Sequence, residues 1–226
     1  MTDIIASSKT DRRTPDNPLL RGMAQFVSYL FHPLFISSYV MAFLIFAHPI
    51  AFSDYDHKTR VLRFLTIAGN NVLFPLFAVF MMWRLDLFVK SMFLRTEKER
   101  IVPYLIAMIF YWWTWYLFKN FSDPSSPQVA INFLAGSFVA LVAAFLCNIY
   151  FKISIHTVAL GCALMFFFLF SFTNDYASGL YLSIVLLITG IVASSRLLLG
   201  EHSPFEVWSG LVVGMLAGLI GWFVPF

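Results

Sequence analysis

The segment Ser195-Arg196-Leu197-Leu198-Leu199-Gly200-Glu201-His202-Ser203-Pro204-Phe205-Glu206 sets an Arg, a His and acids between two strongly apolar stretches. Charged groups crowded against apolar sequence are costly and mark functional sites by default. These types suit one chemistry. Arg grips phosphate oxygens, His acts as nucleophile or acid–base, and a carboxylate holds an imidazole in one tautomer. Two more polar clusters adjoin apolar runs. One is Lys152-Ile153-Ser154-Ile155-His156; the other is Arg95-Thr96-Glu97-Lys98-Glu99-Arg100.

The elements that must position these clusters follow from composition. The chain has 226 residues, 60% of them hydrophobic and only 12% charged. Its mean hydropathy is +0.79. Soluble domains carry about a quarter charged residues, so the chain reads as an all-α, polytopic transmembrane bundle. Its length allows roughly seven spans of about 20 residues. Residues 1–22 read as a polar N-terminal tail and 23–226 as one transmembrane helical domain. The first 20 residues hold no apolar core of the kind a cleavable signal needs. Expected spans are 23–50, kinked at His32-Pro33, then 62–83, 101–119, 128–150, 157–173, 179–195 and 206–224. The formal net charge of +3 points to no nucleic-acid partner. Cys147 and Cys162 lie in apolar segments without metal spacing and read as small core residues. The remaining histidines, His32, His48 and His57, read as structural.

Counting crossings joins the clusters. Two spans separate the 95–100 cluster from the 152–156 cluster, and two more separate that one from 196–206. An even number of crossings returns the chain to the same face. All three clusters, and the tail, are therefore expected on one side. Lys and Arg are denser there than around Lys58, Arg60, Arg63 and Lys119, which the positive-inside rule reads as a site on the cytoplasmic side.

With the residues in place, a resemblance emerges. Ser195-Arg196-x5-His202-x3-Glu206 resembles the third signature of the type 2 phosphatidic acid phosphatase superfamily, Ser-Arg-x5-His-x3-Asp, with Glu for Asp. Lys152-Ile153-Ser154-Ile155-His156 keeps the Ser-x-His core of the second signature, Pro-Ser-Gly-His, and lacks its Pro and Gly. Arg95 to Arg100 followed by Pro103 loosely resembles the first, Lys-x6-Arg-Pro, with the proline three residues after the arginine instead of adjacent. The resemblance covers about 95–226 and implies a divergent, bacterial-type member of the cytoplasmic (inner) membrane with a related helical core. Asp123-Pro124-Ser125-Ser126-Pro127 starts like the second signature but has no His and falls on the other side, so it reads as a turn.

The resemblance implies a metal-independent phosphatase without cofactor, acting on a lipid phosphate in the bilayer: phosphatidate, phosphatidylglycerol phosphate, a polyprenyl diphosphate or a lipid A phosphate. It implies His202 as the nucleophile that becomes a phosphohistidine, and His156 as general acid, then base. Arg196, Arg100 and one of Arg95 or Lys98 would hold phosphoryl oxygens, joined by Ser154 and Ser195. The acidic residues fall in no magnesium-binding spacing, which argues against an Asp-rich prenyltransferase.

Three alternatives stay open in the residues. Glu206 either orients His202 at i,i+4 or closes a capping box with Ser203 and Pro204. Lys152 either replaces a lost phosphate ligand or snorkels to the interface. Gly210, Gly214 and Gly218 either pack the last span into the bundle or form a homodimer face. A non-catalytic binder of anionic headgroups, or a transporter, is the rival to the enzyme.

Overall fold

A computed structural model describes residues 17–85, 87, 97–121, 126–173 and 178–223; of 97–100 and 178 it describes the helix but not the side chains. Most of the expected tail, Arg95, and the turns at Asp123-Pro124 and Asn174-Asp175 lie outside the described residues.

The described elements are all helical. They are α1 (Pro18–Leu30), α2 (Pro33–Ala42), α3 (His57–Ala68), α4 (Phe74–Arg84), α5 (Glu97–Asn120), α6 (Gln128–Tyr150), α7 (Ile155–Thr173), α8 (Ser178–Leu198) and α9 (Pro204–Phe223). A π-helical turn, Phe43–Ala47, extends α2, and another, Gly69–Leu73, joins α3 to α4. Among the described residues, six helices are long and apolar enough to cross a membrane; one of them is α3 through α4 taken together. The bent pair of α1 and α2 makes a seventh if it counts as one span.

Helix α1 begins at Pro18, inside the stretch expected to be tail. The local reason is capping: Oδ1 of Asn17 accepts the Leu19 N–H at 3.0 Å, and Pro18 fits the first helical position. The kink at His32-Pro33 is a break of 61°. Pro33 has no N–H to continue α1, and Nδ1 of His32 accepts the Leu34 N–H at 3.3 Å to start α2.

The apolar core lies among α2, α3, α6, α7 and α8, around Met41, Leu44, Ile67, Leu134, Phe166 and Val192. The closest helix pair is α7 with α9. A Cβ on Gly214 would sit 2.0 Å from the Val158 carbonyl oxygen, and one on Gly161 would sit 2.3 Å from that of Leu211. Gly221 approaches Gly136 as tightly, with a Cβ 2.2 Å from its nitrogen, and Gly218 approaches Cys162 less closely, at 2.9 Å. The glycine stripe of α9 is thus filled by α6 and α7, as packing inside the bundle requires.

This contact also sets the site, because it brings the first turns of α7 and α9 together. The Ser154 N–H donates to the Glu206 carbonyl at 3.1 Å. At the other end of the bundle, Arg63 is not a free topological charge. It is buried, lies 4.6 Å from the Tyr55 ring centroid and donates to Ser126 Oγ at 2.7 Å. Mid-bundle, the Gly69–Leu73 turn is tied by a polar chain. Thr114 Oγ1 donates to Asn71 Oδ1 at 2.7 Å, Asn71 Nδ2 donates to Ser37 Oγ at 3.3 Å, and Ser37 lies 3.2 Å from the Tyr111 hydroxyl.

Candidate active site

The turn between α8 and α9 is built by one backbone feature. Gly200 has φ 66°, the left-handed conformation that ends helices and that a Cβ disfavours. It turns the chain so that Glu201 folds back onto Arg196, with the carboxylate Oε2 accepting from Nη2. His202 follows and is buried, with 8% of its surface accessible. Ser203 then starts α9, its Oγ accepting the Glu206 N–H at 3.3 Å.

That hydrogen bond is half of a capping box. The other half is not made, because the Glu206 carboxylate goes elsewhere. Its Oε2 lies 2.7 Å from Nδ1 of His202 and 3.7 Å from Nζ of Lys152. Both readings of Glu206 therefore hold in part: its backbone is capped by Ser203 and its side chain orients His202. An ionised carboxylate only accepts, so Nδ1 carries the proton and Nε2 keeps the lone pair. Burial, aided by the Arg196 and Lys152 charges and opposed by Glu206, lowers the His202 pKa to about 4. At neutral pH the imidazole is neutral and Nε2 is nucleophilic.

His156 stands in the first turn of α7. Its Nε2 lies 3.2 Å from the main-chain carbonyl of Ser28 in α1. A carbonyl only accepts, so here Nε2 carries the proton and Nδ1 keeps the lone pair. Lys152 donates to the Glu201 carbonyl at 2.7 Å and is half-exposed. The site thus holds two acids among its cations, and both are engaged with them.

A cavity of about 820 Å³ gathers these groups. Lys152, His156, Arg196, Glu201 and His202 line it where α7, α8 and α9 begin or end, together with His32 from the α1–α2 bend. Its deeper walls are mostly apolar, including Leu76, Val79, Ala107, Phe133 and Leu141. Glu206 stands behind His202, outside the cavity wall. The crossing count is met in this respect: residues near the start of α5 (Pro103, Tyr104) share the cavity with the α7 start and the α8–α9 turn.

Other expected site residues are placed differently. Lys98 and Arg100 fall in the first turn of α5, but their side chains, like Arg95 altogether, lie outside the described residues. Ser195 spends its hydroxyl on the Ile191 carbonyl at 2.8 Å and faces a groove beside α1, away from the cavity. Ser154 is fully buried behind the wall, its Oγ without a hydrogen-bond partner among the described residues. Among the described residues no three His, Cys, Asp or Glu side chains are arranged to hold a metal ion.

Three contributors escaped the sequence reading. From the sequence His32 reads as a structural residue at a kink, although a His in an apolar run is itself a signal. Nothing in the sequence pairs Glu201 with Arg196. The Ser28 carbonyl has no side-chain signature at all.

No family model, curated protein or solved structure matches the chain. Fold and site together define a class: an all-helical protein, compatible with multi-pass insertion in a membrane, with a histidine- and cation-lined cavity at one end of the bundle.

Proposed function

We propose that the protein is a membrane lipid phosphate phosphatase, a divergent relative of the type 2 phosphatidic acid phosphatases. One observation carries the reading. At the polar end of a mostly apolar cavity, a neutral imidazole held by a carboxylate faces the same space as a buried arginine and a second imidazole. An amphiphile with a phosphate head and an apolar body suits such a cavity. His202 Nε2 attacks phosphorus and the bond to the lipid oxygen breaks. His156, neutral in the free protein, takes a proton at Nδ1 from solvent when the phosphate binds and gives it to that oxygen. His156 then takes a proton from water; the resulting hydroxide attacks the phosphohistidine, and the N–P bond breaks to release inorganic phosphate. Arg196 stabilises charge on the equatorial oxygens.

The test is phosphate release by purified protein from phosphatidate, phosphatidylglycerol phosphate, a polyprenyl diphosphate and a lipid A phosphate, with EDTA present. We expect release from at least one, abolished in His202→Ala and His156→Ala. Unchanged release by His202→Ala would sink the nucleophile assignment. Tight binding of these lipids with no release by the wild type would turn the reading to a non-catalytic headgroup binder. The site side follows from charge: with the clusters cytoplasmic, a cysteine introduced in the 48–56 loop is labelled from outside intact cells and one in the tail is not.

A further inference from the structure

The signature-like segments account for His202, His156 and Arg196, but the cavity holds a third imidazole from the opposite end of the sequence. His32 sits at the break between α1 and α2, and its ring centroid lies 5.5 Å from that of His156, edge to face at 81°. Arg196 lines the same cavity as His32, His156 and His202. The His32 ring is not free to turn, because Nδ1 accepts the Leu34 N–H and caps α2. That bond leaves the ring proton on Nε2, as a donor. Among the described residues no acceptor bonds this Nε2, and the residue is exposed at the cavity surface. The other cations described in the cavity wall are already engaged: Arg196 with the Glu201 carboxylate, Lys152 with the Glu201 carbonyl.

We infer that His32 is a phosphate ligand of this site: its Nε2–H, fixed by the α2 cap, donates to a non-bridging oxygen of a phosphate seated between Arg196 and the His202–His156 pair. The inference rests on reading the polar end as a phosphate site and does not require turnover. It makes the α1–α2 bend part of the binding machinery. Ser28 holds His156 from this bend, and His32 holds the ligand.

The test uses the full chain in detergent, with inorganic phosphate as probe in calorimetry and a phosphate-headed lipid in a parallel arm. His32→Asn is the variant, because Asn keeps the helix cap while removing the imidazole donor. Losing a hydrogen bond to a charged oxygen predicts phosphate binding weaker by about tenfold or more, with an unchanged Tm. Equal phosphate affinity in wild type and His32→Asn overturns the inference, whatever the enzyme does. If the variant does not fold, the wild type still decides. Phosphate should shift the His32 Nε2–H signal in nitrogen NMR of the histidine-labelled wild type, and an unmoved signal at saturating phosphate overturns the inference. Weaker binding of the lipid alone, with inorganic phosphate unaffected, also overturns it, since the contact would then be to the lipid body. His32-dependent phosphate binding by a protein that releases phosphate from no lipid keeps the inference and removes the phosphatase reading. A wild type that binds neither probe removes both.

Discussion

The Nε2–H of His156 donates to the main-chain carbonyl of Ser28, 3.2 Å away and 128 residues earlier in the chain. A backbone group of α1 thereby does for His156 what the Glu206 carboxylate does for His202. The two bonds fix opposite ring nitrogens. Nitrogen NMR of the protein labelled at histidine should show His156 as the Nε2–H tautomer and His202 as the Nδ1–H tautomer at neutral pH. Two rings in the same tautomer would contradict the paired arrangement.

Glu206→Gln removes the carboxylate that orients His202 and keeps nearly the same volume. The amide offers an N–H2 group as readily as an oxygen, so the ring is no longer held in one tautomer. Lipid phosphate hydrolysis should fall on the order of 10²–10⁴-fold, as loss of a triad carboxylate does elsewhere. A loss under about threefold would remove Glu206 from the mechanism and leave it a helix-start residue.

The pH dependence follows from the direction of the His202 shift. Its pKa falls from the model-peptide value of 6.5 to about 4 on folding, so between those values the unfolded chain binds more protons than the native one. This contribution to stability is fully present above 6.5 and is lost as pH drops toward about 4. Nucleophilicity follows the native value: kcat/KM should keep His202 active down to about pH 4. In Glu206→Gln the limb assigned to His202 should move lower, because the group that raises its pKa is gone. A His202 limb near 6.5 in the wild type would show that the ring is not desolvated.

Glu201 pairs with Arg196 in the free protein, and its side chain is 54% exposed. A phosphate that takes Arg196 must displace this carboxylate or sit beside its negative charge. Glu201→Gln should therefore tighten inorganic phosphate binding several-fold, measured by calorimetry at low salt. Weaker binding in this variant would mean that Glu201 holds Arg196 in its productive pose instead of competing for it.

The α7–α9 seam predicts a sharp contrast between two glycines. Gly214→Ala drives a Cβ to within 2.0 Å of the Val158 backbone, which no rotamer change relieves. Separating the helices should cost about 1–3 kcal/mol or more and pull the α9 start, with His202, away from His156. Tm and activity should fall together. Gly190→Ala, with no atom within 4 Å of the added Cβ, should leave both unchanged.

Much of this was legible in the sequence, through local rules. The i,i+4 spacing put Glu206 on the His202 side of a helix start, and the side chains meet there. Even-numbered crossings put Lys152, His156 and Arg196 at one end of the bundle, and one cavity collects them. Gly210, Gly214 and Gly218 announced a close helix approach, but not the partner; α7 turned out to be the main one. Arg63 read as a topology signal because nothing local reveals a cage built from Phe52, Tyr55 and Phe118. Ser195 read as part of a motif, while its hydroxyl turns back onto its own helix.

The sequence by itself determined that apolar helices form and which polar residues flank them. Twenty-residue apolar runs have few other ways to satisfy their backbone. It also placed the charge-bearing groups near the helix ends. Only the tertiary structure decided that α1 packs on α8, so that the Ser28 carbonyl reaches His156 at the start of α7 and His32 enters the cavity. That choice depends on the 61° break at Pro33 and on how side chains far apart in the chain pack. No periodicity within a single helix encodes either one.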